Sequence, residues 1–89
     1  MRFEENISED AITRLRRVEG QVGGVIRMLE EGRDCKQVMQ QVSAASKALE
    51  RAGVRLLAAQ MRYCVIHEGE EGVDAVSPEE LEQMFLNLA

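Results

Sequence analysis

Apolar residues recur along the first third of the chain with the 3.6-residue period of an α-helix. They alternate three and four positions apart from Leu15 to Leu29. This spacing predicts an amphipathic helix that starts after Asn6 or Ser8, packs its apolar face into a core and ends at Gly32. The stripe comprises Leu15, Val18, Val22, Val25 and Leu29. Three glycines interrupt it, and we interpret them as places where a neighbouring helix comes close: Gly20, Gly23 and Gly24.

A longer apolar seam follows over four heptads. Asp34 is expected to cap the helix, with Gln37 completing a capping box, and Gly69 to end it. The seam consists of Val38, Val42, Ala45, Leu49, Ala52, Leu56, Ala59 and Tyr63. Such a helix is about 50 Å long, more than the first helix can cover, so we expect a second copy of the chain against it. Gly53 fits either close packing at a symmetry axis or a local weakness.

A third, short helix is predicted near the C-terminus. The segment from Glu70 to Val76 is expected to be an acidic loop, and Ser77 and Pro78 have the residue types of an N-cap and a first helical position. The apolar face of this helix is marked by Leu81, Met84, Phe85 and Leu88. We expect that face outside the helix pair or against another subunit. The fold class is therefore all-α, a single domain spanning residues 1–89.

Composition supports this interpretation. Hydrophobic residues make up 45% of the chain, but aromatic residues only 3%, and there is one proline. These values favour helices over a β-sandwich or barrel. No apolar run is long enough to cross a membrane, and the polar start lacks the core of a signal peptide, so the expected location is cytoplasmic.

The net charge of −5 conceals an uneven distribution. Residues 11–67 carry ten basic and five acidic side chains, whereas both flanks are acidic. Lys47, Arg51 and Arg55 form one ridge along the second helix, and Arg14 and Arg17 form a short row on the first. Such rows can neutralise DNA phosphates. The alternative is a solvated surface whose arginines pair with nearby acids, which here are Glu19 and Glu50.

The two cysteines, Cys35 and Cys64, are 29 residues apart on the second helix. That separation is about 44 Å along the axis but only about 20° around it, so they share a face and cannot meet within one chain. In an antiparallel pair centred on Leu49 and Glu50, Cys35 of one chain would lie opposite Cys64 of the other, twice by symmetry. The alternative is two buried cysteines acting as small hydrophobic residues.

The surroundings of the thiols suggest different roles. Cys35 lies in the first turn beside Arg33 and Lys36, where the helix dipole favours a thiolate, so we expect it to be the attacking thiol. Cys64 would be the resolving thiol or the second metal ligand. His67 lies one turn after Cys64 and is a candidate third ligand; Gln60, one turn before it, is a poor one. Two thiolates suit Cu(I).

The residues along α-helical segments one and two of the sequence resemble those of a known family, the copper-sensing repressors (CsoR/RcnR/FrmR). The resemblance spans residues 8–67 and rests on the run Arg14-Leu15-Arg16-Arg17-Val18-Glu19-Gly20-Gln21, on Gly24, on Arg27-Met28-Leu29-Glu30, on Cys35, on Gln41-Val42-Ser43-Ala44 and on Cys64. It implies a three-helix protomer, an antiparallel dimer and a flat tetramer that binds operator DNA and leaves it when inducer occupies the cysteine site. Arg14 and Arg51 match family positions implicated in operator contact.

The inducer depends on one departure from the family pattern. Copper sensors of the family have Cys, His and Cys where this chain has Cys35, Gln60 and Cys64. The missing histidine resembles the persulfide-sensing, CstR-like branch, in which the two cysteines become joined by a disulfide or polysulfide bridge. The main hypothesis is therefore a repressor released by sulfane sulfur at Cys35 and Cys64. The alternative is a Cu(I)-responsive repressor that uses Cys35, Cys64 and His67.

Other function classes are disfavoured. An enzyme that passes sulfur or electrons through these thiols is not expected, because the chain has no Cys-x-x-Cys motif and so thin a fold offers no evident substrate pocket. A purely structural helical oligomer would not need the arginine rows. The expected partners are therefore operator DNA, further copies of the chain in a homodimer or homotetramer, and reactive sulfur or Cu(I) as inducer, with no required cofactor.

Overall fold

A computed structural model describes residues 2–70 and 77–88, and in this part of the chain it contains three α-helices and no strand. They are α1 (Glu5–Glu30), α2 (Cys35–Ile66) and α3 (Pro78–Leu88). The predicted all-α class and the long central helix are confirmed. Of the predicted acidic loop, residues 71–76 lie outside the described residues. Ser77 caps α3 as expected, because its Oγ accepts a hydrogen bond from the Glu80 backbone N–H at 3.2 Å.

The ends of α1 are fixed by local chemistry. The helix begins earlier than predicted, because the Glu4 side chain caps it: Glu4 Oε2 accepts a hydrogen bond from Ile7 N–H at 3.2 Å. At the other end, Gly32 has φ 67, a conformation that favours glycine. Arg33 N–H then bonds back to the Met28 carbonyl at 2.9 Å. This pattern is a Schellman motif, and it ends α1 at the predicted glycine.

The ends of α2 agree with the sequence only in part. Asp34 is the N-cap, with Oδ2 accepting from Lys36 N–H at 3.0 Å. Gln37 does not complete a capping box; its Oε1 accepts instead from Arg33 Nε at 3.2 Å. The helix ends at Ile66, ahead of Gly69, which has φ 82. The predicted N-cap at Asp34 is therefore confirmed, and the prediction that Gln37 completes a capping box is wrong.

Helices α1 and α2 form an antiparallel hairpin joined by residues 31–34. Polar contacts at two levels fix its alignment: Gln60 near the end of α2 bonds to Glu4 just before α1, and Gln41 Nε2 bonds to the Gln21 carbonyl at 3.3 Å. The core between the helices is built largely from small side chains. Its buried hydrophobic members are Ala11, Val18, Val38, Ala45 and Ala52, with Leu57 also buried.

The apolar stripe of α1 divides between two directions. Val18 is buried as predicted, but Val22 is 46% exposed and Leu29 is 63% exposed. The prediction that the whole stripe faces one core was therefore wrong for the chain taken alone. The reason is geometric, since α2 covers only one side of α1 and the remaining apolar side chains face outward. In α2, Leu49 at the centre of the seam is likewise 53% exposed.

The glycines also differ in role. A Cβ at Gly24 would lie 3.4 Å from Gln41 Nε2, so close approach of α2 is confirmed at that position. Among the described residues nothing lies within 4 Å of such a Cβ at Gly20, so α2 does not come close to α1 at that position. At Gly53 the Cβ would lie 3.0 Å from Leu88 Cδ2. Gly53 therefore gives α3 room to pack on α2.

The chain is elongated and exposes an unusually large surface. It measures 55 × 23 × 15 Å, and its Cα radius of gyration is 16.8 Å, against about 12 Å for a compact domain of this length. The exposed area is 6881 Å², whereas a compact monomer of this mass exposes about 5,200 Å². None of the described helices is long and apolar enough to cross a membrane.

Candidate functional site

The two thiols lie at opposite ends of α2. Cys35 is the first residue of the helix and is exposed, whereas Cys64 lies in its last turn and is half-buried. Both are free thiols. The continuous helix between them separates them by about 44 Å. The structure therefore agrees with the expectation that the two sulfur atoms cannot meet within one chain.

Gln60 connects Cys64 to the N-terminal segment. Its side chain is buried, with 3% of the residue exposed. Gln60 Oε1 accepts a hydrogen bond from Glu4 N–H at 3.2 Å, and Nε2 lies 3.5 Å from the Arg2 carbonyl oxygen. The same Nε2 lies 3.6 Å from Cys64 Sγ. One amide group thus contacts both the Cys64 thiol and the segment that leads into α1.

The prediction from the sequence considered Gln60 only as a poor metal ligand and did not include this contact. Its partners at Arg2 and Glu4 are 58 and 56 residues away along the chain. No local pattern indicates a contact over that distance. A glutamine directly beside the apolar seam, next to Ala59, was the one available signal, because a buried amide needs partners.

His67 lies at the C-cap of α2 and is held by its neighbours. Its Nδ1 lies 2.8 Å from Glu70 Oε2, and its ring centroid lies 4.3 Å from that of Tyr63. Within residues 2–70 and 77–88 of one chain, no three His, Cys, Asp or Glu side chains are grouped closely enough to hold a metal ion. A three-ligand metal site that includes Cys64 and His67 therefore needs a ligand from beyond the described residues of this chain, such as one from a second chain.

The charges expected beside Cys35 are arranged differently from the prediction. Arg33 turns toward Glu31 and Gln37, with its Nη1 at 3.4 Å from Glu31 Oε2. The Asp34 carboxylate is used in capping the helix. Of the expected neighbours, Arg33 is therefore already paired, and Lys36 is the remaining basic side chain in the first turn.

The predicted basic rows converge in one place. Four of the five predicted DNA-binding residues line a single concavity of about 260 Å³ between α1 and α2. Two come from α1, Arg14 and Arg17, and two from α2, Arg51 and Arg55. The fifth, Lys47, is exposed on α2 and is not part of this lining. The sequence placed these residues in two separate rows, and the helical hairpin joins them into one arginine cleft.

Ion pairing within the helices accounts for little of this charge. Arg14 Nε lies 3.0 Å from Asp10 Oδ2. Glu19, expected as a partner for the basic rows, pairs instead with Arg16 at 3.8 Å. In the described part of the chain, Arg17, Arg51 and Arg55 have no carboxylate within ion-pair distance. Most of the positive charge of the arginine cleft thus remains available to a ligand.

Comparison with known proteins assigns the family. Residues 7–87 match the family described as metal-sensitive transcriptional repressors. This chain belongs to that family. The assignment agrees with the resemblance seen in the sequence, and because the family is one of repressors it also confirms that the chain is not an enzyme.

Individual relatives are named as copper sensors. The chain is 45% identical over 64 residues to the copper-sensing transcriptional repressor RicR of Mycobacterium tuberculosis, a match that covers 68% of this chain and 67% of the relative. It is 35% identical over 78 residues to the copper-sensing transcriptional repressor CsoR of Bacillus subtilis, covering 86% and 77%. For CsoR of Mycobacterium bovis the values are 37% over 71 residues, 80% and 60%. No solved structure matches the chain.

The names of these relatives favour Cu(I) over sulfane sulfur as the inducer. The persulfide-sensing branch, which Gln60 favoured, finds no support in their names. The copper alternative fits them better. The roles assigned to Cys35, Cys64, His67 and the basic residues stay predictions.

Proposed function

We propose that this protein is an operator-binding repressor that Cu(I) releases from DNA, with Cys35 of one chain and the partner's Cys64 as the sulfur ligands. The observation that carries the proposal is the placement of two free thiols at the two ends of one helix, about 20° apart around its axis. Two antiparallel copies of α2 would bring unlike thiols together at both ends. The copper-sensing names of the relatives support the choice of metal.

A second copy of the chain is the first requirement of this site. Leu49, at the midpoint between the thiols, is 53% exposed, and the chain exposes far more surface than a compact monomer of its mass. Covering the outward apolar residues of α1 and α2 with another copy removes both anomalies. We infer a homodimer with two equivalent thiol sites, assembling further into a homotetramer as the family resemblance implies.

The donor set suits Cu(I) in its chemistry. Thiolates are soft ligands and select Cu(I) over harder cations. A third donor would come from His67, one turn beyond Cys64. Its Nδ1 faces Glu70, an arrangement that orients the ring and leaves Nε2 as the candidate ligand atom. Gln60 is not a candidate, because its amide is already engaged.

Gln60 also suggests how occupation of the thiols reaches the DNA-binding surface. Its amide contacts Cys64 Sγ and holds Glu4, whose carboxylate caps α1. A change at the sulfur that displaces this amide would release the N-terminal cap of α1. Because Arg14 and Arg17 are on α1, their position relative to Arg51 and Arg55 would change with it.

Sulfane sulfur is the second candidate inducer, favoured by the engaged glutamine at the position where the family's copper sensors have histidine. The Cys35 thiolate would take the terminal sulfur of an organic persulfide, releasing the organic thiolate. The thiolate of the partner's Cys64 would then attack Cys35 sulfur and expel hydrosulfide, leaving a disulfide between the chains. In this sequence the thiols are oxidised and the sulfane sulfur is reduced.

One titration distinguishes the inducers. Reduced protein is bound to a fluorescent duplex from upstream of its own gene, and anisotropy is followed while Cu(I) or an organic persulfide is added without oxygen. The proposal predicts release at about one Cu(I) per chain, with intact mass showing no covalent bridge. Release by persulfide alone, together with a cross-linked dimer, would replace copper by sulfur as the inducer. Absence of DNA binding by the reduced protein would refute the repressor assignment for this chain.

A further inference from the structure

The arginine cleft has a geometry that a merely basic surface lacks. Arginines from two helices line it, Arg14 and Arg17 from α1 and Arg51 and Arg55 from α2. We propose that this cleft is a discrete oxyanion site that binds one phosphoryl group between the two helices. Where the phosphoryl group belongs to DNA, the inference rests on the proposed function; where it is free phosphate, it does not.

The floor of the cleft explains why there is room for an anion. Val18 and Ala52 lie there with 7% and 5% of their surface exposed, and Ala48 lies beside them. Alanines on α2 leave space that a larger side chain would fill. Buried apolar side chains in this floor also strengthen the attraction between arginine side chains and an anion above them, because they lower the local dielectric constant.

Charge and hydrogen bonding both favour an oxyanion as the occupant. A guanidinium group offers paired donors that match two phosphoryl oxygens, so arginines on opposite walls can hold the same group. An anion in the concavity would also offset the repulsion among the four positive charges that line it. The ion partner that the described residues provide is Asp10, which engages Arg14 at one edge.

The boundaries of the site support a single small occupant. A second concavity, of about 190 Å³, shares Arg14 and Arg55, but it is lined by Asp10 and by apolar side chains such as Ile7 and Leu56. The Asp10 carboxylate would repel an anion there. On the arginine side, Gln21 Oε1 is buried without a hydrogen-bond partner in the described residues. A water molecule held by the anion, or the protonated oxygen of a free phosphate, would supply the missing donor.

The first test uses no DNA. Pyrophosphate is titrated calorimetrically into the full-length reduced protein at constant ionic strength, with sodium chloride as the blank. We expect one site per chain in the wild type and at least a roughly tenfold loss of affinity in Arg17→Gln and Arg51→Gln. The matched control is Arg16→Gln, which removes the same charge from α1 at a side chain that is 75% exposed and paired with Glu19, and should bind like the wild type.

A cavity-filling variant separates shape from charge. Ala48→Leu keeps all four arginines but occupies the floor, so it should weaken pyrophosphate binding as much as Arg51→Gln does. Circular dichroism checks that the helices are retained, and Ala48→Ser, which leaves the space open, should bind like the wild type. Equal affinity in Ala48→Leu, Arg51→Gln and the wild type, or no binding by the wild type, would overturn the proposal.

The second test identifies the source of the phosphoryl group. In anisotropy measurements with the duplex, a cleft that binds a backbone phosphate predicts weaker DNA binding by Ala48→Leu and competition by pyrophosphate. If pyrophosphate binds as expected but no variant or wild type binds DNA, the oxyanion site stands and the repressor assignment fails. If DNA binds equally well to Ala48→Leu and the wild type and pyrophosphate does not bind, the repressor assignment stands and the oxyanion site fails.

Discussion

The arginine cleft and the thiol site are built in opposite ways. The cleft is complete within one chain, because the α1–α2 hairpin brings Arg14 and Arg17 against Arg51 and Arg55. The thiol site is divided, because Cys35 and Cys64 lie at opposite ends of α2. One surface therefore depends on the packing of two helices in a protomer. The other, as we propose it, needs a second copy of the chain.

This difference suggests how a small repressor can be switched. If the arginine cleft contacts DNA as we propose, that contact requires only that α1 and α2 keep their relative position, which Gln60 helps to fix through Glu4. In the mechanism that we propose, inducer binding requires two chains, so it would act on both protomers at once. Chemistry between chains can thereby alter geometry within each chain.

Removal of one thiol is expected to have the largest effect. Cys35→Ser should abolish release by Cu(I), because the site loses one of its two sulfur ligands, while DNA affinity stays at the wild-type value. Anisotropy with and without Cu(I) measures both quantities in one experiment. A Cys35→Ser protein that still leaves DNA at one Cu(I) per chain would show that Cys35 is not a ligand.

The next largest effect concerns the second copy. Leu49→Lys places a charge at the proposed symmetry axis in both chains, and losing two buried leucines at about 1.5 kcal/mol each should raise the dimer dissociation constant about a hundredfold. Sedimentation equilibrium measures this change. The control is Leu86→Lys on α3, where the native leucine is similarly exposed at 57%. Equal dissociation constants for the two variants would remove Leu49 from the interface.

A smaller effect is expected for a single arginine of the cleft. Arg55→Gln should weaken DNA binding roughly tenfold and lower the slope of log affinity against log salt by about 1 for each phosphate that the protein no longer neutralises. Anisotropy at several salt concentrations gives the slope. Arg16→Gln should leave the slope unchanged, since its guanidinium group pairs with Glu19. An unchanged slope for Arg55→Gln would place that residue outside the DNA interface.

The smallest effect concerns the link between the two sites. Gln60→Leu keeps the side-chain volume but leaves the Glu4 N–H and the Arg2 carbonyl without their partner, so the free energy of unfolding should fall by about 1 kcal/mol. Urea denaturation measures this loss. Gln83→Leu removes an exposed amide whose hydrogen-bond partner among the described residues is Asn87 in α3, and it should cost less. Equal losses would indicate that the Gln60 contacts do not stabilise the fold.

The sequence predicted the parts of this fold that depend on local chemistry. The end of α1 follows from the glycine at position 32, and the start of α2 follows from the capping residue Asp34. The length of α2 follows from its heptads. It predicted all four arginines of the cleft by residue, but as two rows. Their convergence depends on how the hairpin is aligned, which is set by contacts between residues distant along the chain.

Two other features also lay beyond local pattern. The stripe of α1 was assigned to a single core because periodicity identifies an apolar face without saying what covers it, and Leu29 and Val22 proved exposed. Gln60 was assessed only as a metal ligand because its partners are near the other end of the chain. Both errors arise from contacts that sequence spacing does not encode.

The central claim, a thiol site shared between chains, can be tested with mixed oligomers of two cysteine variants. Cys35→Ser and Cys64→Ser chains are coexpressed with different affinity tags, and the mixed oligomer is purified through both. Each variant alone should fail to bind Cu(I) at the sensing site, whereas a mixed dimer has one intact pair, Cys35 from one chain and the partner's Cys64, and should bind one Cu(I) and respond on DNA. A mixed oligomer that binds no more Cu(I) than either variant alone would contradict the account.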